Sequence, residues 1–198
     1  MSNSETKLVG ISEPQADAHL TEHELSSERV YDGSFLKVQR DLVTLPNGAV
    51  ATREYFKHPG AVVILPLFDD GTVLLERQFR YPMNRVFIEF PAGKIDPGED
   101  YLACAKRELL EETGYSADSW QFVCTLHNAI SYSDEHLEIY LARGLHPGQA
   151  SLDEGEFLDV YRAPVSELLE QVRSGMVTDV KTIIGAFWIE KILAGSWK

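Results

Sequence analysis

Cysteine is scarce in this chain: Cys104 and Cys124 are the only two in 198 residues. Their separation matches no metal-binding spacing, which excludes a cysteine-built metal centre. Both read as small core or helix residues with reduced thiols, as in a cytoplasmic protein. Basic residues are also few, 18 Lys and Arg against 31 Asp and Glu, for a formal charge of −13. Recognition of a nucleic-acid backbone needs clustered cations, so the charge argues against nucleic acid as the main partner. No apolar stretch reaches the length of a membrane span, and residues 1 to 20 lack the basic start and apolar run of a signal peptide. Nothing repeats internally.

The rest is ordinary for a soluble globule, with 44% hydrophobic and 25% charged residues. The length suits one full core with a small appended element. Residues 1–27 read as a flexible tail, 28–58 as an antiparallel sheet and 59–198 as the main domain. In the first sheet, Phe35–Arg40 and Leu42–Leu45 precede the turn Pro46-Asn47-Gly48, and Ala49–Phe56 returns. Ala61–Leu67 is apolar throughout, as in a strand buried on both faces. Asp69-Asp70-Gly71 turns into Thr72–Phe79, and Phe87–Phe90 leads into an acidic helix. Phe122–Leu126 and Leu137–Ala142 are further strands. Ser166–Ser174, with Ser166 as a cap, and Val180–Leu193 are closing helices. Helices on either side of mixed strands predict an α/β/α sandwich.

The acidic helix carries the chemistry. Glu108, Glu111 and Glu112 stand at i, i+3 and i+4, so at about 100° per residue they share one side. Leu102, Ala105 and Leu109 form an apolar stripe elsewhere on the helix, which predicts that the acids point outward. The turn Asp96-Pro97-Gly98-Glu99, with acids in the first helical turn, marks the start. Gly114 marks the stop. A bare E-x-x-E-E reads first as a solvated acidic face. Three like charges near a helix C-terminus nevertheless repel one another and oppose the dipole. A hard dication such as Mg²⁺ would offset them and bridge to phosphate oxygens. Arg107 is placed to pair with Glu99 or Glu111.

The whole string from Gly93 to Tyr115 fits G-x5-E-x7-R-E-φ-x-E-E-x-G-φ without departure, and in this it resembles the Nudix hydrolase family. The resemblance implies a Nudix α/β/α sandwich and Mg²⁺- or Mn²⁺-dependent hydrolysis of a nucleoside diphosphate linked to another group. It also implies that Glu108, Glu112 and the Ala92 carbonyl bind metal, that Glu111 serves further ions, and that Glu99 supports Arg107.

Segments outside residues 93–115 resemble the branch that cleaves ADP-ribose and other nucleoside diphosphate sugars. They are Arg53-Glu54, His58–Val62, Arg77–Pro82, Glu89–Gly93 and Asp179–Thr182. Arg80, and with it Arg77, can present a planar guanidinium to diphosphate oxygens. By resemblance, Arg53 and Glu54 contact the nucleoside. The same resemblance implies that the residue 28–58 sheet pairs two chains as a homodimer, with Tyr31 or Phe35 as the stacking aromatic. Glu135 matches the position of a loop glutamate that takes a proton from the attacking water, with His127 and His136 as alternatives.

One departure concerns the substrate. Asn128-Ala129-Ile130-Ser131 replaces the Pro-Ser-Pro-Gly usual in the ADP-ribose enzymes, which changes the loop's permitted backbone. The expectation is hydrolysis of ADP-ribose or a related nucleotide sugar to a nucleoside monophosphate and a sugar phosphate. GDP-mannose is the next candidate, followed by nucleoside triphosphates or dinucleoside polyphosphates. A nucleotide-sugar sensor is the non-enzymatic alternative.

Overall fold

Strand β4 (Ala61–Pro66) is buried on both faces, and the main unit is built around it. Successive side chains of a strand point to opposite sides. Val62 and Ile64 pack with Cys104, Ala105 and Leu109 of helix α1 (Tyr101–Thr113). Val63 and Leu65 pack with Ala186 and Ile189 of helix α3 (Val180–Leu193). The expected layering of helix, strands and helix is therefore present, with an apolar core on each side of one strand. Gly185 lets α3 come close: a Cβ there would lie 2.6 Å from a Leu65 methyl.

The structure, a computed structural model, describes residues 17–197. It divides into a first unit ending at Lys57, which includes Ser131–Ser133, and a second of residues 58–130 and 134 onward. The first unit is an antiparallel sheet of β1 (His23–Asp32), β2 (Lys37–Thr44) and β3 (Val50–Phe56). The turn after Pro46 is as expected, closed by Leu45 N–H donating to Ala49 O at 2.8 Å, with Gly48 at φ +83°. The expected tail differs. Residues 1–16 lie outside the described residues, but β1 begins at His23, inside the stretch read as flexible. Its sequence, His-Glu-Leu-Ser-Ser-Glu-Arg-Val-Tyr-Asp, lacks the alternation of a half-buried strand, and all ten residues are exposed. Ladder hydrogen bonds to β2 define it instead. Buried Asp41 accepts from Ser27 Oγ at 2.6 Å and from Tyr55 Oη at 2.9 Å.

The second unit holds two sheets. One runs β7 (Ala92–Lys94), β4, β9 (Leu137–Pro147) and β8 (Tyr115–Leu126), with β4 and β9 parallel. The other runs β10 (Leu158–Pro164), β5 (Thr72–Arg80) and β6 (Arg85–Glu89), all antiparallel. Short β7 and mixed-polarity β10 carry too little pattern to be seen in sequence. Helix α2 (Val165–Arg173) starts without a side-chain cap, so Ser166 does not play the expected part. Val165 N–H donates to Gly71 O instead. In α1 the cap is Asp100, whose Oδ1 accepts from Leu102 and Ala103 N–H at 3.0 and 3.1 Å. The first turn therefore contains no acid, and Glu99 stands outside the helix. Gly114 does end α1 in the left-handed conformation, φ +74°.

Candidate active site

The three helix acids are graded by depth rather than all turned outward. Glu111 is 36% exposed at its side chain, Glu108 12%, and Glu112 is buried, because the inward edge of α1 packs over Ala92-Gly93 at β7. Glu112 Oε2 accepts from Ala92 N–H at 3.1 Å. Gly93 is needed for a steric reason. A Cβ there would come within 1.8 Å of the Glu108 carboxyl carbon, so only glycine lets that carboxylate rest on the backbone.

Arg107 gathers the outer acids. Its Nε and Nη2 bind the two Glu99 oxygens at 2.9 Å each, while Nη1 reaches Glu108 at 2.8 Å and Glu111 at 3.0 Å. Glu99 in turn accepts from Asp96 N–H, which fixes the turn before the helix. The Arg107 hydrogen bonds are the main reason that the Glu99 carboxyl is held down at about 2. Both expected partners of this arginine are thus present, with Glu108 in addition.

Deeper in, neither Glu112 nor Glu76 forms an ion pair with an arginine among the described residues. Burial, and then the charges of Glu76, Glu108 and Glu156, push Glu112 up to about 10. Burial and the charge of Glu89 push Glu76 up to about 8, against a hydrogen bond with Glu112. Burial also raises Glu108, and Arg107 only partly offsets it. The sequence reading assigns no role to Glu76, Glu89 or Glu156. A signal for Glu76 does exist, since it is an acid directly after the apolar run Val73-Leu74-Leu75. Glu156, in an irregular loop and accepting from Gln78 Nε2 at 3.3 Å, gives none.

Alternation along β5 puts Glu76, Gln78 and Arg80 on one face and Arg77 and Phe79 on the other. Arg80 forks onto Glu89 at 2.7 and 2.8 Å. Lys181 also binds Glu89, and reaches Asp179 at 3.0 Å. Burial alone would raise Glu89, but these two cations hold it below the usual carboxylate range. The segment Asp179–Thr182 also organises the backbone, because Asp179 caps α3 and Thr182 Oγ1 accepts from Phe90 N–H at 3.0 Å. Arg77 is separated from Arg80. It lies 3.6 Å from Asp159 and lines a pocket of about 350 Å³ with Phe79, Val86 and Phe157.

Glu135 accepts from Asn128 Nδ2 at 2.9 Å, with His58 Nδ1 at 3.5 Å from its other oxygen. Asn128 belongs to the segment that departs from the ADP-ribose pattern. Glu156, not Glu135, is the loop acid whose charge figures among the leading influences on Glu108 and Glu112. In the first unit, Arg53 pairs with Glu22 and Glu54 with Arg40, on opposite faces of β3. Among the described residues, no three His, Cys, Asp or Glu side chains converge to close around a metal ion by themselves. No described helix is long and apolar enough to cross a membrane.

Known proteins match along most of the chain. Residues 57–181 match the NUDIX domain, and residues 22–56 match the nucleoside diphosphate sugar hydrolase N-terminal domain. The methanol dehydrogenase activator of Bacillus methanolicus is 33% identical over 85% of this chain and 92% of its own length. The ADP-ribose pyrophosphatase of Bacillus subtilis is 36% identical over 82% and 89%. A crystal structure of an ADP compounds hydrolase superposes with a TM-score of 0.79 at 27% identity, covering 88% of this chain and 95% of that one. With its domain, its acidic helix and its N-terminal sheet all matched, this chain belongs to the Nudix family as a pyrophosphatase-type hydrolase.

Proposed function

We propose that the protein hydrolyses the diphosphate bond of ADP-ribose or a closely related nucleotide sugar in a reaction dependent on Mg²⁺ or Mn²⁺. The observation that carries this reading is the Glu108 carboxylate on Gly93, beside buried Glu112. Relatives named for ADP-ribose and ADP compounds support the substrate class. The donor set suits a hard dication, since Glu108, Glu111, Glu112 and the Ala92 carbonyl offer only oxygen. Mg²⁺ needs no complete protein cage, because one or two carboxylates, retained waters and substrate phosphates share the ion. Such an ion, when bound, polarises the phosphate and acidifies a water.

The chain's own residues then orient and neutralise. Arg107 keeps Glu108 and Glu111 in place, and Gly93 keeps the floor open. Arg80, 45% exposed and held by buried Glu89, offsets charge on the diphosphate. Water adds to one phosphorus as the bridging oxygen leaves with the other phosphate, giving a nucleoside monophosphate and a sugar phosphate. Two loop acids are candidates for the water's proton. Glu135 matches the family position, while Glu156 accepts from Gln78, on the same face of β5 as Arg80. Arg53 and Glu54 contact the nucleoside, and the first unit, with β1 exposed along its whole length, pairs two chains as a homodimer in the cytoplasm. A panel of ADP-ribose, GDP-mannose, other nucleotide sugars and nucleoside triphosphates, assayed for released monophosphate with Mg²⁺ or Mn²⁺, tests the reading. Release from ADP-ribose ahead of the others is expected, and release from none would refute it.

A further inference from the structure

Glu76 is a buried acid that the Nudix string does not account for. It stands in β5, 3% exposed, and its Oε1 has no hydrogen-bond partner. Its neighbours are acids as well. It is hydrogen-bonded to Glu112, faces Glu89 in the register of β5 and β6, and feels the charge of Glu156. Lys181, whose charge also reaches it, is already committed to Glu89 and Asp179. An uncompensated carboxylate in such a place costs more than the packing around it returns, and an apolar residue would simply have extended Val73-Leu74-Leu75.

We propose that Glu76 is a further carboxylate of the divalent-cation site and shares a cation with Glu112. This rests on the metal-dependent reading above. Two features separate Glu76 from other acids nearby. Glu89 already has Arg80 and Lys181, and Glu99 has Arg107, so neither needs an ion from outside. One oxygen of Glu76 is buried without a hydrogen-bond partner, whereas Glu111 is partly exposed and meets Arg107. The ligand class is a hard dication taking oxygen donors, Mg²⁺ or Mn²⁺.

Mn²⁺ binding to the full chain, followed without substrate by the electron paramagnetic resonance signal of free Mn²⁺, tests this in wild type, Glu76→Gln and Glu76→Met. Each variant is expected to bind Mn²⁺ about tenfold more weakly or worse. The Mn²⁺-induced rise in Tm should shrink accordingly. Without metal, both variants should melt at or above the wild-type temperature, because an unpaired buried acid has been removed. Unchanged Mn²⁺ affinity would overturn the proposal. So would a lower metal-free Tm in both variants, which would make Glu76 a structural residue. A wild-type protein that binds no Mn²⁺ would instead remove the metal-dependent reading itself, and the proposal with it.

Discussion

Two groups of acids lie on or against helix α1, and the chain treats them in opposite ways. Glu99, Glu108 and Glu111 surround one arginine, with every contact at 3.0 Å or less. Glu76 and Glu112 are more deeply buried, and neither forms an ion pair among the described residues: the nearest cations, Arg80 and Lys181, are bound to Glu89. In the first group the arginine answers Glu99 fully and Glu108 only in part. In the second, burial and neighbouring acids raise both carboxyls, and the cation of the proposed reaction would answer the charge they take on when they ionise.

The largest expected effect comes from the second group. Glu112→Gln should lower turnover at least about a hundredfold, since charge stabilisation by a bound dication is worth several kcal/mol and each ~1.4 kcal/mol is tenfold. Its circular dichroism should match wild type, because the N–H of Ala92 keeps an acceptor. Steady-state kinetics at saturating Mg²⁺ checks this, and near-normal turnover would make the two groups equivalent.

Arg107→Met attacks the first group. It leaves three acids without their cation, and a loss of about 2 kcal/mol in denaturant unfolding is expected for hydrogen bonds to charged partners in a partly exposed site. Turnover should also fall as Glu108 loses its hold. An unchanged midpoint would show that the cluster is held together by something other than this arginine.

A pH series sharpens the contrast. Arg107 holds Glu99 at about 2, below its ordinary 4.5. The folded form therefore binds fewer protons than the unfolded form between these values. Its stabilising contribution is present above about 4.5 and is lost as pH falls toward 2. Wild type should lose Tm over this window more steeply than Glu99→Gln, and parallel curves would contradict the assignment. The smallest effect separates the two β5 arginines: Arg80→Ala should raise KM for a nucleotide sugar, whereas Arg77→Ala, on the opposite face, should leave kinetics near wild type.

The first group is largely legible in sequence. The spacing of Arg107, Glu108 and Glu111 is a helical pattern, in which Glu112 of the second group also stands, and Gly114 gives its end. β4, the turn after Pro46, and α3 at Val180–Leu193 are legible for the same reason, strong local periodicity or turn chemistry. The second group is not, because it is made by the register of two neighbouring strands and by the packing of a helix from later in the chain. Glu76 meets Glu89 only through the β5–β6 register, and it meets Glu112 only because α1 packs where it does. The burial of Glu112 escapes a sequence reading because helical spacing gives a direction but not the depth of the neighbouring backbone. Glu156, in a loop without pattern, is out of reach of any periodicity. β1 is hidden by its polar sequence.

The most direct test follows ADP-ribose by ³¹P nuclear magnetic resonance in the presence of the protein, first with Mg²⁺ or Mn²⁺ and then after chelation. Loss of the diphosphate resonances and growth of two phosphomonoester signals are expected with metal, and no change without it. A diphosphate that stays intact at every metal concentration, with a correctly folded protein, would contradict the proposed hydrolysis.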